Sequence, residues 1–203
     1  MGNKFIYLLF TRSNTLMSRA IFTLTNDEYT HVSISTDERL ESFYSFGRRK
    51  PNLMLPAGFT RESVYAGLYL HDDRIPCKLV KIRADAETIE RMNEILAFFY
   101  EHRFEYKYSI IGTILCRLGI TYHRDSHRFC SQFVSELLQE CSIMTREREP
   151  SLIRPSQLAE ESFVSTVFEG DIGGLRDWIE RFCSERIPVS PYVVSLPQMR
   201  MAQ

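Results

Sequence analysis

The chain has 203 residues, 25 Lys and Arg against 26 Asp and Glu, and a net charge of −1. Its hydrophobic fraction of 44% is ordinary for a globular protein and excludes a disordered or fibrous chain. Because the charge is nearly balanced, no basic surface is expected and nucleic acid is not an expected partner. The length predicts one domain over residues 1–203.

Targeting signals are missing from the N-terminal segment. Its apolar run, Phe5–Phe10, is too short for the hydrophobic region of a signal peptide. No run of about 18 apolar residues could form a transmembrane helix. We therefore expect a cytoplasmic protein without a transmembrane segment.

The five cysteines form no CxxC pair, and their odd number argues against a disulfide framework, so reduced thiols are expected. His123, His127 and Cys130 are the residues closest to a zinc-binding pattern, but a structural zinc site needs a second cluster of ligands. We predict neither a metal nor another cofactor. The cysteines are Cys77, Cys116, Cys130, Cys141 and Cys183.

Strand patterns dominate the first 82 residues. Lys4–Thr11 is a short apolar run typical of a buried strand, and a helix capped by Ser13 or Asn14 is predicted after it. Tyr29–Ser35 alternates, with His31, Ser33 and Ser35 on one side and Val32 and Ile34 on the other. Leu40–Phe46 completes a predicted hairpin, and Cys77–Ile82 is a further strand. Gly47, Pro51, Pro56 and Gly58 indicate a loop after the hairpin.

Helical spacing dominates the rest of the chain. Asp85 is a predicted N-cap for a helix that runs to about His102. Further helices are predicted at Ser109–Leu118, Phe129–Cys141, Pro155–Phe168 and Gly174–Phe182, and residues from about 187 to 203 form a predicted extended strap. Because the strands are joined by a hairpin rather than by regular crossovers, the order of elements favours an α+β fold.

Cys130 is the one cysteine placed for nucleophilic chemistry. A thiol reacts as its thiolate, and a helix N-terminus or an adjacent imidazolium lowers its pKa. Cys130 lies in the first turn of an amphipathic helix, whereas Cys116 and Cys141 lie late in theirs. His31, on the polar side of a strand, is the candidate base, although a histidine in that setting is more often structural.

Two segments in this order resemble a known superfamily. Tyr29-Thr30-His31-Val32-Ser33-Ile34, followed about 100 residues later by Phe129-Cys130-Ser131-Gln132-Phe133-Val134, resembles the circularly permuted papain-like hydrolases related to the NlpC cell-wall peptidases, and within them the YiiX-like branch. Tyr44–Arg48, Gly58-Phe59 with Glu62, Tyr106–Gly112 and Pro155 are also similar to an uncharacterised bacterial family of that group. The likeness covers about residues 4–170 and implies a permuted papain-like fold, with an antiparallel sheet packed against the helix of the nucleophile.

The resemblance implies Cys130 as nucleophile and His31 as general base and later general acid. It also implies a third residue that orients the imidazole, on the strand after the histidine. With an odd hairpin loop Glu41 and Ser45 share the face of His31, and with an even loop Ser42 does. We predict Glu41, because a carboxylate best stabilises an imidazolium, and leave Ser42 and Ser45 as alternatives.

The oxyanion formed on attack needs hydrogen-bond donors. The backbone N–H of Cys130 is one. Tyr106 or Tyr108, which resemble a tyrosine upstream of the cysteine in related enzymes, are candidates for another, and Ser45 is a further candidate for substrate binding. Buried core aromatics are the alternative interpretation of the two tyrosines.

Three functions compete. The first is a thiol peptidase or amidase that cleaves an amide or isopeptide bond through an acyl-enzyme. The second is a lipid thioesterase or acyltransferase, because relatives of the permuted branch include acyl-transfer enzymes. The third is a binding module of the same fold without turnover. All three imply a peptide-like or acyl ligand, and the oligomeric state is not predicted.

Overall fold

A computed structural model describes residues 4–12, 27–50 and 55–186. The predicted helix after Ser13 and the predicted strap at 187–203 lie outside these residues. The described part is a mixed α+β structure, which agrees with the predicted class.

One sheet organises the described residues. It contains eight strands in the order β7-β6-β4-β3-β2-β1-β5-β8, and its neighbours are antiparallel except β6 and β7. The central strands are Phe- and Ile-rich, which suits a surface buried on both faces. The strands are β1 Lys4–Thr11, β2 His31–Ser35, β3 Phe43–Arg48, β4 Ala57–Glu62, β5 Pro76–Ala84, β6 Lys107–Tyr108, β7 His127–Arg128 and β8 Ser165–Asp171.

The helices pack on both faces of this sheet. The Asp85 side chain caps α2 by accepting a hydrogen bond from the Thr88 N–H, as predicted, and the Ser109 side chain caps α3 by accepting from the Gly112 N–H. The helices are α1 Leu68–His71, α2 Ala86–Glu101, α3 Ile110–Arg117, α4 Cys130–Glu140, α5 Pro155–Leu158 and α6 Ile172–Arg186, with a 3₁₀ turn at Pro150–Leu152.

Two apolar clusters separate the layers. On one face Phe133 and Val134 of α4 meet Met92 of α2 against the sheet. On the other face Leu175 and Ile179 of α6 cover the sheet. The helix of Cys130 therefore packs against a mostly antiparallel sheet, as predicted.

Two predictions of secondary structure are wrong. The predicted helix at Pro155–Phe168 ends at Leu158, and Ser165–Asp171 is a strand paired with β5. This sheet edge supplies hydrogen-bond partners that local periodicity does not reveal. The loop predicted after the hairpin contains β4, whose residues pair with β3 although Pro56 and Gly58 flank or interrupt its pattern.

The junction of β2 and β3 prepares the site. The strands pair through Ile34 and Tyr44. Near the start of β2, the Ser45 hydroxyl donates to the Val32 carbonyl at 2.6 Å. The Val32 backbone is also close enough to Cys130 to lower the pKa of its thiol. The amino end of α4 thus meets the sheet at the place where β2 and β3 are no longer regularly paired.

Candidate active site

Cys130 is the first residue of α4. Phe129 is the N-cap and has no side chain that can accept from the first N–H groups of the helix. These N–H groups and the helix dipole favour negative charge at this end. The Cys130 side chain is 3% exposed, so the sulfur is held in a largely dry setting.

The structure brings Cys130 and His31 together, as predicted. The two side chains lie close enough for each to shift the pKa of the other, and the backbone of Val32 and Ser131 also acts on the thiol. Burial alone would raise the pKa of Cys130, but its interactions with His31 and with these two backbone groups outweigh burial and lower that pKa below its ordinary value.

The pKa values of the other four cysteines are raised rather than lowered. Burial raises the pKa of Cys77 to about 12 and that of Cys116 to about 11. Burial also raises the pKa of Cys141 and of Cys183. Cys130 is therefore the thiol whose surroundings favour the thiolate.

Glu62, from β4, is the residue that holds His31. Its carboxylate oxygens lie 3.1 and 3.0 Å from His31 Nε2, and the two side chains are 17% and 21% exposed. Since Nε2 is engaged by the carboxylate, Nδ1 is the ring nitrogen that faces the thiol. Burial would lower the pKa of His31, but the Glu62 charge and the hydrogen bonds of both neighbours raise it well above its ordinary value.

The prediction of Glu41 as the partner of His31 is wrong. The strand register puts Ser45 on the His31 face, as the odd-loop alternative requires, and extends to place Gly47 opposite His31. Glu41 precedes Gly47 by six residues, roughly 20 Å of extended chain, and its side chain is exposed. Glycine has no side chain at this point, and the Glu62 carboxylate fills the space: a Cβ at Gly47 would be 2.9 Å from Glu62 Oε1.

Ser42 and Ser45 do not replace Glu41. The Ser42 hydroxyl accepts from Arg61 Nε at 2.9 Å. Ser45 is 0% exposed and its hydroxyl donates to Val32, so it is a strand-linking residue rather than a substrate contact. The sequence did carry a signal for Glu62, because the resemblance included Gly58-Phe59 with Glu62. The strand itself was not predicted, since Pro56 and Gly58 indicated a loop.

The two predicted tyrosines have different positions. Tyr106 is partly buried and packs against the aromatic core, with its ring centroid 4.6 Å from that of Phe99, so its role in substrate binding stays a prediction. Tyr108 lines the same cavity as Cys130, and its hydroxyl is 3.2 Å from Thr113 Oγ1. Burial and the Cys130 charge raise the pKa of Tyr108, which keeps the hydroxyl protonated and able to donate.

Two concavities flank these residues. A cavity of about 10 Å³, room for roughly one water, lies before the sulfur. Tyr108, Thr113 and Arg154 are among its lining residues. A cleft of about 740 Å³ lies on the Glu62 side and is lined also by Glu41 and Arg61. The smaller cavity is the candidate site, because Cys130, the thiol with the lowered pKa, lines it.

Comparison with solved structures agrees with an α+β fold of this kind. The crystal structure of the metalloprotein yiiX from Escherichia coli O157:H7 matches with a TM-score of 0.52 and 13% identity, over 82% of this chain and 97% of that one. The likeness therefore supports a YiiX-like fold. No protein-family model matches the chain, and no curated protein does. Among the described residues, none of the helices has the length and apolar character needed to cross a bilayer.

Proposed function

We propose that the chain is a cysteine peptidase or amidase with a permuted papain-like fold, which cleaves an amide or isopeptide bond through an acyl-enzyme. The observation that carries the proposal is the array of Cys130, His31 and Glu62 at the amino end of a helix. The order of the histidine strand before the cysteine helix supports the permuted arrangement. Carboxylate, imidazole and thiol then have the three roles of a catalytic triad.

In the acylation step, the Cys130 thiolate attacks the carbonyl carbon, and the C=O π electrons move to oxygen. The tetrahedral intermediate then expels the amine, which takes its proton from the His31 imidazolium. In deacylation, water gives a proton to His31 as its oxygen attacks the thioester, and the C–S bond breaks to release the acid. Glu62 holds Nε2–H throughout.

The oxyanion needs donors fixed in advance. The Cys130 backbone N–H belongs to the uncapped helix end, and Tyr108 lines the same cavity as the thiol. Together they supply two donors, one from the main chain and one from a side chain.

The test compares thiol reactivity within one molecule. We expect iodoacetamide at pH 7 to alkylate Cys130 much faster than Cys141, and the preference to disappear in His31→Ala. A brief exposure to p-nitrophenyl acetate should leave an acetyl group on Cys130 that Cys130→Ser cannot form. Equal alkylation of both thiols, with no acetyl adduct, would support the binding module instead.

One observation favours a second candidate, a thioesterase or acyltransferase for apolar acyl chains. Helix α3 lines the thiol cavity through Thr113, yet its outer side presents Ile111 at 55%, Ile114 at 55% and Leu118 at 66% exposure. Exposed apolar side chains beside an active site are suited to an acyl chain. This candidate predicts faster deacylation with octanoyl than acetyl p-nitrophenyl esters, and loss of that preference in Ile114→Ser.

The neighbour yiiX is described as a metalloprotein. Within the described part of this chain, no group of three or more His, Cys, Asp and Glu side chains could hold a metal ion. His31 is also engaged by Glu62 and Cys130. The described residues therefore do not fit a metal centre.

A further inference from the structure

Two arginines converge on a single aspartate beside the thiol cavity. Arg154 Nη1 is 2.8 Å from Asp27 Oδ1, and Arg117 Nη1 contacts the other carboxylate oxygen. These residues come from three separate segments: Asp27 precedes β2, Arg117 ends α3, and Arg154 caps α5. The cluster carries two positive charges and one negative charge.

Both arginines of the cluster lie at the cavity of the nucleophile. Arg117 and Arg154 line the same cavity as Cys130 and Tyr108. The Arg117 side chain is 13% exposed and that of Asp27 is 6%, whereas Arg154 is 35% exposed. Arg154 is therefore the member of the cluster that an anion from solvent can reach.

A purely structural ion pair does not need this composition. One arginine neutralises one buried aspartate, and among the described residues the ion pairs of both guanidinium groups go to the same carboxylate. A guanidinium presents a planar fork of donors that matches a carboxylate. An incoming carboxylate would complete the charge balance of the cluster.

We propose that Arg154, supported by Arg117, is an anion subsite that selects substrates carrying a carboxylate within a few bonds of the scissile carbonyl. This inference rests on the proposed function and specifies its substrate class. Such substrates include a peptide whose residue next to the cleaved bond has a free carboxylate.

Two alkylating reagents of nearly equal size test the subsite directly. Iodoacetate carries a carboxylate next to its reactive carbon, and iodoacetamide has a neutral amide there. The ratio of their rates at Cys130 reports the local charge, while the iodoacetamide rate alone reports thiolate formation. We expect a ratio in the native chain above that of glutathione, and a fall of about fivefold in Arg154→Gln, the effect of one charge several ångströms away at partial burial.

Three variants sharpen the test. Arg154→Lys, which keeps the charge, should retain most of the ratio, and Asp27→Asn should raise it because a competing carboxylate charge is removed. Arg91→Gln, an exposed arginine on α2, should leave it unchanged. If Arg154→Gln fails to fold, the Lys and Asn variants still carry the test.

The outcomes separate the two proposals. A ratio that is the same in the native chain, Arg154→Gln and Asp27→Asn overturns the anion subsite, even where iodoacetamide reacts rapidly with Cys130. A slow iodoacetamide reaction at Cys130, equal to that of Cys141, overturns the hydrolase proposal itself.

Discussion

The Glu62 carboxylate makes a sharp test of the site, because it was not the residue predicted from the hairpin. Glu62→Gln keeps the shape of the side chain and removes its charge. A hydrogen bond to a charged partner contributes about 1.5–3 kcal/mol, and both side chains here are less than a quarter exposed. This converts to a loss of about 10- to 150-fold in the equilibrium that forms the thiolate–imidazolium pair.

The assay is the rate of Cys130 alkylation by iodoacetamide from pH 5 to 10. In the native chain, the thiolate persists below the ordinary thiol pKa of about 8.5, since His31 lowers the pKa of Cys130. In Glu62→Gln the imidazolium is less stable, so the rate at pH 6 should fall by as much as the factor above. Near pH 10 the two rates should converge, because the thiol ionises without help.

Glu41→Gln is the matched control, since it removes the same charge from the exposed residue before β3. Its alkylation profile should overlay that of the native chain. The reasoning fails if Glu62→Gln keeps the native rate at pH 6, or if Glu41→Gln slows the reaction equally.

Further predictions follow from the same contacts. Tyr108→Phe removes a hydroxyl of the residue that shares the thiol cavity and should slow acylation by p-nitrophenyl acetate about 100-fold, the usual effect of losing one oxyanion donor, while iodoacetamide alkylation changes much less. Gly47→Ala puts a methyl group 2.9 Å from Glu62 Oε1, so its alkylation profile should follow that of Glu62→Gln with little loss of melting temperature. The raised pKa of His31 implies stabilisation that is full below about pH 6.5 and lost at higher pH; in a Cys130→Ser background, the unfolding free energy lost on Glu62→Gln should therefore shrink as pH rises. Phe133→Ala, in the aromatic core, should cost about 3–5 kcal/mol in urea unfolding, and a loss below about 1 kcal/mol would contradict the packing described.

The local elements of the site could be predicted because they depend on nearby residues. Alternation over Tyr29–Ser35 indicated β2, and the apolar face of Phe129–Cys141 indicated α4 with Cys130 at its start; both agree with the structure. The prediction that Cys130 meets His31 also used the resemblance to a known superfamily, in which a histidine strand precedes a cysteine helix. The order of these two elements can be read directly from the sequence.

The third residue required information that local patterns do not carry. An odd number of residues in the hairpin loop correctly placed Ser45 on the His31 face. The length of that loop says nothing about the strand that follows β3. Gly47 opposite His31 leaves a space, and the side chain of Glu62, at the end of the strand that pairs with β3, reaches into it. The same limit explains β8, whose strand conformation depends on the edge of β5.

The amino-acid sequence alone determined the α+β class, the helix that begins at Cys130 and the strand that carries His31, because each depends on periodicity and caps within a few residues. The tertiary structure alone decided that Glu62 holds the imidazole and that Arg117 and Arg154 meet Asp27 beside the thiol. These contacts join residues from separate segments, and their distances depend on how strands and helices pack rather than on any local preference.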